Sequence, residues 1–290
     1  MERKGRLPSL TGAGKPRLDT AATVGLILLA LVVIGAVLAP VLTPYEYGTL
    51  DTDTRTEPPS WEHPLGTDRF GRDQLTRILY GARVSLLIGM LAVGIAAALG
   101  LLTGIAAGYY GGLVDSVLMR LMDSVAAIPY LLIATLIAIF AGFTARGTTI
   151  AIGISLVPDF AALARALVLN TLGKGFLEAE RAFGIPDSVI LFRHVLPNII
   201  SQYIAKFTNA FAEAVLAVTT LGYLNYAVQP PYPEWGDLLA DGYIYIVSGQ
   251  WWLTVFPGLA ILITVVSVNL LGNGLSRLID SRAGANGGRS

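Results

Sequence analysis

The chain has 290 residues, 54% hydrophobic and 14% charged, with a formal net charge of zero and a mean hydropathy of +0.63. A water-soluble domain carries about 25% charged residues, so this composition excludes an ordinary soluble protein and points to a chain surrounded by lipid. The neutral balance offers nothing to nucleic acid, and the absence of cysteine excludes disulfides and thiol chemistry.

The chain opens on a basic tail, residues 1–20, with Arg3, Lys4, Arg6, Lys15 and Arg17. About 20 apolar residues cross the hydrocarbon core as a helix, and residues 21–42 supply them without a charge. This run exceeds the apolar core of a signal peptide, and Pro40 after Ala39 is a poor cleavage site, so it reads as a retained span. Further spans are predicted at 84–108, at about 121–142 with Asp123 near its start, and at 147–168 with Asp159 and Arg165. The last two are 197–224, which holds Lys206 and Glu213, and the uncharged 251–272. The expectation is an all-α integral membrane protein with six transmembrane helices. Gly100, Gly104 and Gly108 recur every four residues in the second span, the spacing of a close helix–helix contact.

Orientation is read from Lys and Arg. The basic tail places the N-terminus in the cytoplasm, and six spans return the C-terminal tail 283–290 there, near Arg277, Arg282 and Arg289. The loop 43–83 then lies outside with five arginines and seven acids, and 225–250 lies outside with three acids and no Lys or Arg. All four tryptophans fall near that side, and Trp251 and Trp252 are expected in an interfacial belt. A charged island, "EAERAFGIPDSVILFRHVLP" (178–197), falls in the cytoplasmic loop of about 170–196. Leu177, Ala182, Phe183 and Ile185 alternate with Glu180 and Arg181 in a short helical pattern. Gly184 and Pro186 break it, and a second short helix is expected to begin near Pro186-Asp187, with Pro197 at the foot of the fifth span. From the residues alone, the island is either an amphipathic connector on the membrane surface or a docking element for a cytoplasmic partner.

Glu178-Ala179-Glu180, Gly184 and Leu196-Pro197 resemble, at matching spacing, the loop motif of ABC-importer permeases. "FRHVLPN" is similar to the form in the dipeptide/oligopeptide/nickel branch. "HPLGTDRFGRDQLTRILYGARVSLLIG" (63–89), "VDSVLMRLMDSVAAIPYLLIA" (114–134), "VQPPYPEWGDLLADG" (228–242) and "WWLTVFPGLAILITVVSVNLLGNGLSRLID" (251–280) resemble its C-type subunits, so the likeness covers about residues 20–282. It implies a type I importer permease fold over 21–282. It also implies a second homologous permease, two cytoplasmic ATPase subunits that bind ATP and Mg, and an external binding protein that delivers peptides, with nickel or a metal chelate as the alternative cargo. The island would be the coupling helix, with Glu178, Ala179, Gly184, Leu196 and Pro197 as its motif residues.

The sequence also departs from the family. Glu180 stands where alanine is usual, Ala162 where an arginine is frequent, and Val218 where the fifth span often has a glutamate. Glu213 lies five residues from that register, and no role is carried to it from the family. Lys206 and Glu213 are seven apart on one helix side. They are either a pair facing the translocation pathway, or a snorkelling lysine and a carboxylate meeting a neighbouring subunit. Asp159, after Pro158, either lines that pathway or satisfies backbone groups freed by the proline. "YAVQPPYPEW" is either a rigid outer loop or a contact for substrate or binding protein.

No enzyme constellation emerges. "GAGKP" (12–16) lacks the spacing of a phosphate loop, and His63 and His194 are expected on opposite sides of the membrane. The competing class is a self-contained secondary transporter or channel, which would use ionisable residues deep in several spans. The residues alone leave the two classes even, and the resemblance favours the importer permease.

Overall fold

The computed structural model describes residues 19–173 and 185–287. Five of its helices are long and apolar enough to cross a membrane, or six if the bent pair described below counts as one span. The described residues carry no strand, only an isolated bridge between Thr67 and Asp73.

Helix α1 (Thr20–Leu42) is uncharged and largely exposed along its apolar length. Pro40 lies inside it and has no N–H to offer the carbonyl of Ala36, one turn back. Arg83 fills the gap: its Nε donates to the Ala36 oxygen and a second guanidinium nitrogen donates to Val37 O at 2.7 Å. A proline interruption and an arginine that looks expensive in a span thus satisfy each other.

Helix α2 (Gln74–Tyr110) begins ten residues before the predicted span. Asp73 is the reason, because its Oδ2 accepts from Thr76 N at 2.8 Å and Thr76 Oγ1 at 2.7 Å. At 37 residues and ~1.5 Å rise each, the helix is longer than the hydrocarbon core and projects beyond it.

The single span expected at 121–142 is instead two helices, α3 (Gly112–Ala126) and α4 (Tyr130–Ala141), bent by 89°. Pro129 sits at the break as the N-cap of α4. Proline disfavours helical geometry in the residue before it and cannot donate to the preceding turn. The span expected at 147–168 is α5 (Ala145–Ser155) followed at once by α6 (Val157–Leu172), with Pro158 in the first turn of α6.

The island's second helix is not separate. It starts at Asp187, after Pro186, and continues without a break as α7 (Asp187–Tyr223). A π turn at Ile190–Val195 precedes Pro197. Proline at 197 removes the donor for the Arg193 carbonyl, and the widened turn accommodates that loss. Helix α8 (Trp235–Tyr243) lies in the following loop, and α9 (Trp252–Gly287) extends beyond the predicted 251–272.

Helices α2 and α6 pack through the predicted glycines. A Cβ on Gly100 would strike Phe160 and Ala161, one on Gly104 would strike Ala161 and Ala164, and one on Gly108 would press on Val168. At the α1–α9 contact, Gly25 meets Ser267 and Leu270, and Gly274 meets Ala22.

These contacts orient the bundle. Arg277 pairs with Asp19 at 2.8 Å, and Tyr109 Oη donates to Asp187 Oδ1 at 2.6 Å, so the start of α1, the end of α2 and the start of α7 share one end. Gln74 Nε2 reaches Leu253 O at 3.4 Å, which puts the loop 43–73, α8 and the start of α9 at the other.

Candidate functional site

Three polar regions interrupt the apolar body. At the first end, the motif residues Leu196 and Pro197 open the regular α-helical part of α7. Glu178, Ala179 and Gly184, together with Glu180 and the expected helix–turn around them, lie outside the described residues. The segment C-terminal to them is firmly seated. Ile190, Val195 and Ile199 are buried against Tyr109 and Val168, with Leu172, Ile185 and Leu196 around them. The Tyr109–Asp187 hydrogen bond closes this contact. The root of the island is therefore held by the α2–α6 pair as well as by α7.

The second region is the set of charges within the spans. Lys206 Nζ donates to Asp159 Oδ2 at 3.1 Å, joining α7 to α6, and lies 5.8 Å from the Phe160 ring centre. Asp159 is the more open partner, its side chain 59% exposed against 25% for Lys206. Glu213 is exposed and makes no ion pair among the described residues. The structure thus joins Asp159 to Lys206 and leaves Glu213 apart, two turns further along α7. Arg165 forms a two-pronged bridge to Asp115 at 2.5 and 2.6 Å, tying α6 to α3. Val218, where the resemblance expected a glutamate, is fully buried in the main apolar cluster, so an apolar residue suits that position here. Ala162 is exposed.

The third region is a polar cap at the opposite end, which the sequence reading did not assemble. Arg72 Nε bonds Asp68 Oδ2 at 2.6 Å, and Arg69 bonds Asp241 at 2.9 Å. Arg77, 2% exposed, lies 3.5 Å from Asp68 and 3.8 Å from Asp237. Gly71 permits the tight loop beneath, with φ of 75° and no room for a side chain against Asp51 O. His63, one of the two histidines, has its Nδ1 2.9 Å from Asp73 Oδ1, beside the N-cap of α2. The signal for the cap was present as charge complementarity, arginines in 43–83 and acids alone in 225–250. Linear reading could not pair them.

Glu234 completes the cap. It is fully buried, Oε2 accepts from Gly236 N at 2.9 Å and Asp237 N at 3.2 Å, and Oε1 accepts from Ser85 Oγ at 2.8 Å. Burial pushes its carboxyl up to about 7, against the hydrogen bonds from Gly236, Ser85 and Asp237 that favour the anion. The two tryptophans expected in an interfacial belt differ in exposure. Trp251 is 49% exposed, while Trp252 is buried with Nε1 3.4 Å from Thr67 O. Trp235 is buried too, donating to Ile78 O at 2.9 Å. The loop 226–235 borders a cleft of about 390 Å³ with Val84, Phe143 and Thr144. Among the described residues, no group of three or more His, Asp or Glu is placed to hold a metal ion.

This architecture has known counterparts. The chain is similar to the dipeptide transport system permease protein DppC of Alkalihalophilus pseudofirmus, 39% identical over 261 residues, 90% of this chain and 86% of the relative. It is also similar to the di/tripeptide transport system permease protein DppC of Pseudomonas aeruginosa, 39% identical over 264 residues, 89% and 87% of the two chains. Its fold resembles a crystal structure of an amino acid ABC transporter with histidines, with a TM-score of 0.54 and 15% identity over 69% of this chain and 93% of that one. Residues 17–59 match the N-terminal transmembrane domain of oligopeptide transport permease C, and residues 100–284 match the binding-protein-dependent transport system inner membrane component. The chain therefore belongs to the binding-protein-dependent transport system inner membrane components, as a multi-pass permease subunit of an ABC importer.

Proposed function

We propose that this permease carries short peptides, handed to it by an external binding protein, and that it works beside a second homologous permease. Two cytoplasmic ATPase subunits bind ATP and Mg and hydrolyse the nucleotide, because this sequence has no phosphate loop of its own. They dock on the loop of about 170–196, where Glu178, Ala179, Gly184, Leu196 and Pro197 are the contact and turn residues. The end that holds Asp19, Asp187 and Arg277 faces the cytoplasm, with both termini there, and the arginine–aspartate cap faces the binding protein. The peptide cargo is the one named for the two relatives above. The pathway runs along the charged side of α7, past Asp159, Lys206 and Glu213.

One observation carries the coupling reading: the root of the island is locked to α2 and α6 through Tyr109, Val168, Ile190 and Val195. A push delivered to 174–184 reaches three spans at once, and packed interfaces of this kind respond by shifting between discrete arrangements. Alternating access follows when those spans rock.

The test is capture of the co-expressed ATPases by detergent-solubilised permease, comparing wild type with Glu178→Arg plus Gly184→Trp. Wild type is expected to retain the ATPases and the double variant to lose them while staying monodisperse. Wild type that purifies alone and transports without ATP would sink the reading.

A further inference from the structure

We propose that the open face of α7 binds both charged ends of a short peptide during passage, the carboxylate at Lys206 and the ammonium at Glu213. This rests on the reading above that α7 borders the pathway, and adds to it a site of defined chemistry.

The face is continuous. Gln202, Lys206, Asn209, Glu213 and Thr220 follow helical spacing along one side. Gln202 and Glu213 are exposed, and the other three are partly buried. The opposite side of the same helix carries Phe211, Val215, Val218 and Gly222, all buried. The edges of the polar face are also set. Lys206 leans to α6 through Asp159, and Asn209 lies against Gly272 of α9. Between those edges runs a polar strip in an otherwise apolar bundle.

The charges on this strip suit a zwitterion. Lys206 and Glu213 are seven residues apart, about 10 Å along the axis at ~1.5 Å per residue. An extended chain advances ~3.3–3.6 Å per residue, so the termini of a tripeptide span a similar distance. A free peptide carries one charge of each sign, and both are costly in a water-poor channel without partners. Each partner is also available. Among the described residues, the ion-pair partner of the Lys206 ammonium is the half-open Asp159 carboxylate, which an incoming carboxylate can replace or join. Glu213 is a carboxylate without an ion-pair partner among the described residues, set between Ala212 and Ala214. The polarity is fixed as well: the peptide carboxylate points toward the Asp187 end of α7 and its ammonium toward α8.

The chain contains no cysteine, so a single Leu216→Cys, one turn beyond Glu213, is its sole thiol, and labelling is read on this subunit's own band. The assembled transporter in nanodiscs, without binding protein, is treated with a charged thiol reagent in the presence of trialanine, its C-terminal amide or its N-acetyl form. Labelling is expected, with protection by trialanine at concentrations about tenfold lower than by either capped form. Lys206→Gln should abolish the distinction between free and amidated peptide and keep that against acetylation. Glu213→Gln should do the reverse, and Lys206→Arg and Glu213→Asp should restore both. Labelling that no peptide alters, or variants that leave both distinctions intact, would overturn the site while the pathway reading stands. A cysteine that stays unlabelled throughout would overturn both, because α7 would then face a protein partner.

Discussion

At the residue scale, Glu234 is the group whose protonation the fold controls most directly. Its pKa in the folded state is pushed to about 7 from the ordinary 4.5, with burial the leading cause. A carboxyl that binds its proton more tightly when folded stabilises the fold most at low pH. That contribution is complete below about pH 4.5 and is lost as pH rises through about 7. At ~1.4 kcal/mol per pK unit, the span corresponds to on the order of 3 kcal/mol. Asp237, also raised chiefly by burial and then by Asp241, adds in the same direction. Glu234→Gln cannot titrate, so the Tm advantage of wild type over this variant should shrink steadily from pH 5 to pH 8. Parallel Tm profiles would show that Glu234 is not the titrating group. A proline-rich stretch ending in glutamate gave no hint of this burial. The approach of Ser85, 149 positions away in the chain, and the close pass of Gly222 against the carboxylate create it.

Among the elements, the α2–α6 contact is where spacing in the sequence translated most directly into packing. Gly100, Gly104 and Gly108 let two backbones approach until Ala161, Ala164 and Val168 occupy the space that side chains would take. Gly94 on the same helix has open space around its Cβ position. Gly104→Val should therefore cost about 1–3 kcal/mol by overpacking, with a lowered Tm and a smaller monodisperse fraction, whereas Gly94→Val should be close to neutral. Equal losses at both sites would mean that the α2–α6 approach is not what the glycines serve. Other element boundaries were less legible. Uniform hydropathy across 121–142 hid the 89° bend, because apolar content measures affinity for lipid and not the direction of the chain. Ile128-Pro129 was the available cue.

On the scale of the whole molecule, polar contacts gather at the two ends. One is a cap of arginine–aspartate pairs between the loop 43–73 and α8. The other is the seat of the island on α2, α6 and α7. A charged acceptor makes the Tyr109–Asp187 bond worth about 1.5–3 kcal/mol. Removing it with Tyr109→Phe keeps the ring in its apolar contacts and frees the start of α7. The expected outcome in proteoliposomes is normal ATPase capture with transport per ATP reduced two- to tenfold. Unchanged stoichiometry would mean that force does not travel through this contact.

The amino-acid sequence by itself determined the class of this protein, because burying or solvating some hundred and fifty apolar side chains is a cost that only lipid relieves. It also determined the approximate spans, the glycine contact and the motif at 178–197, all of which rest on spacing within one segment. Only the tertiary structure decided which charges meet. Arg83 serves the carbonyls above Pro40, Lys206 finds Asp159, and the arginines of 43–83 find the acids of α8. Those pairings join residues dozens to more than a hundred and fifty positions apart. A charge records its need for a partner in the sequence, but the identity of that partner depends on how the helices pack.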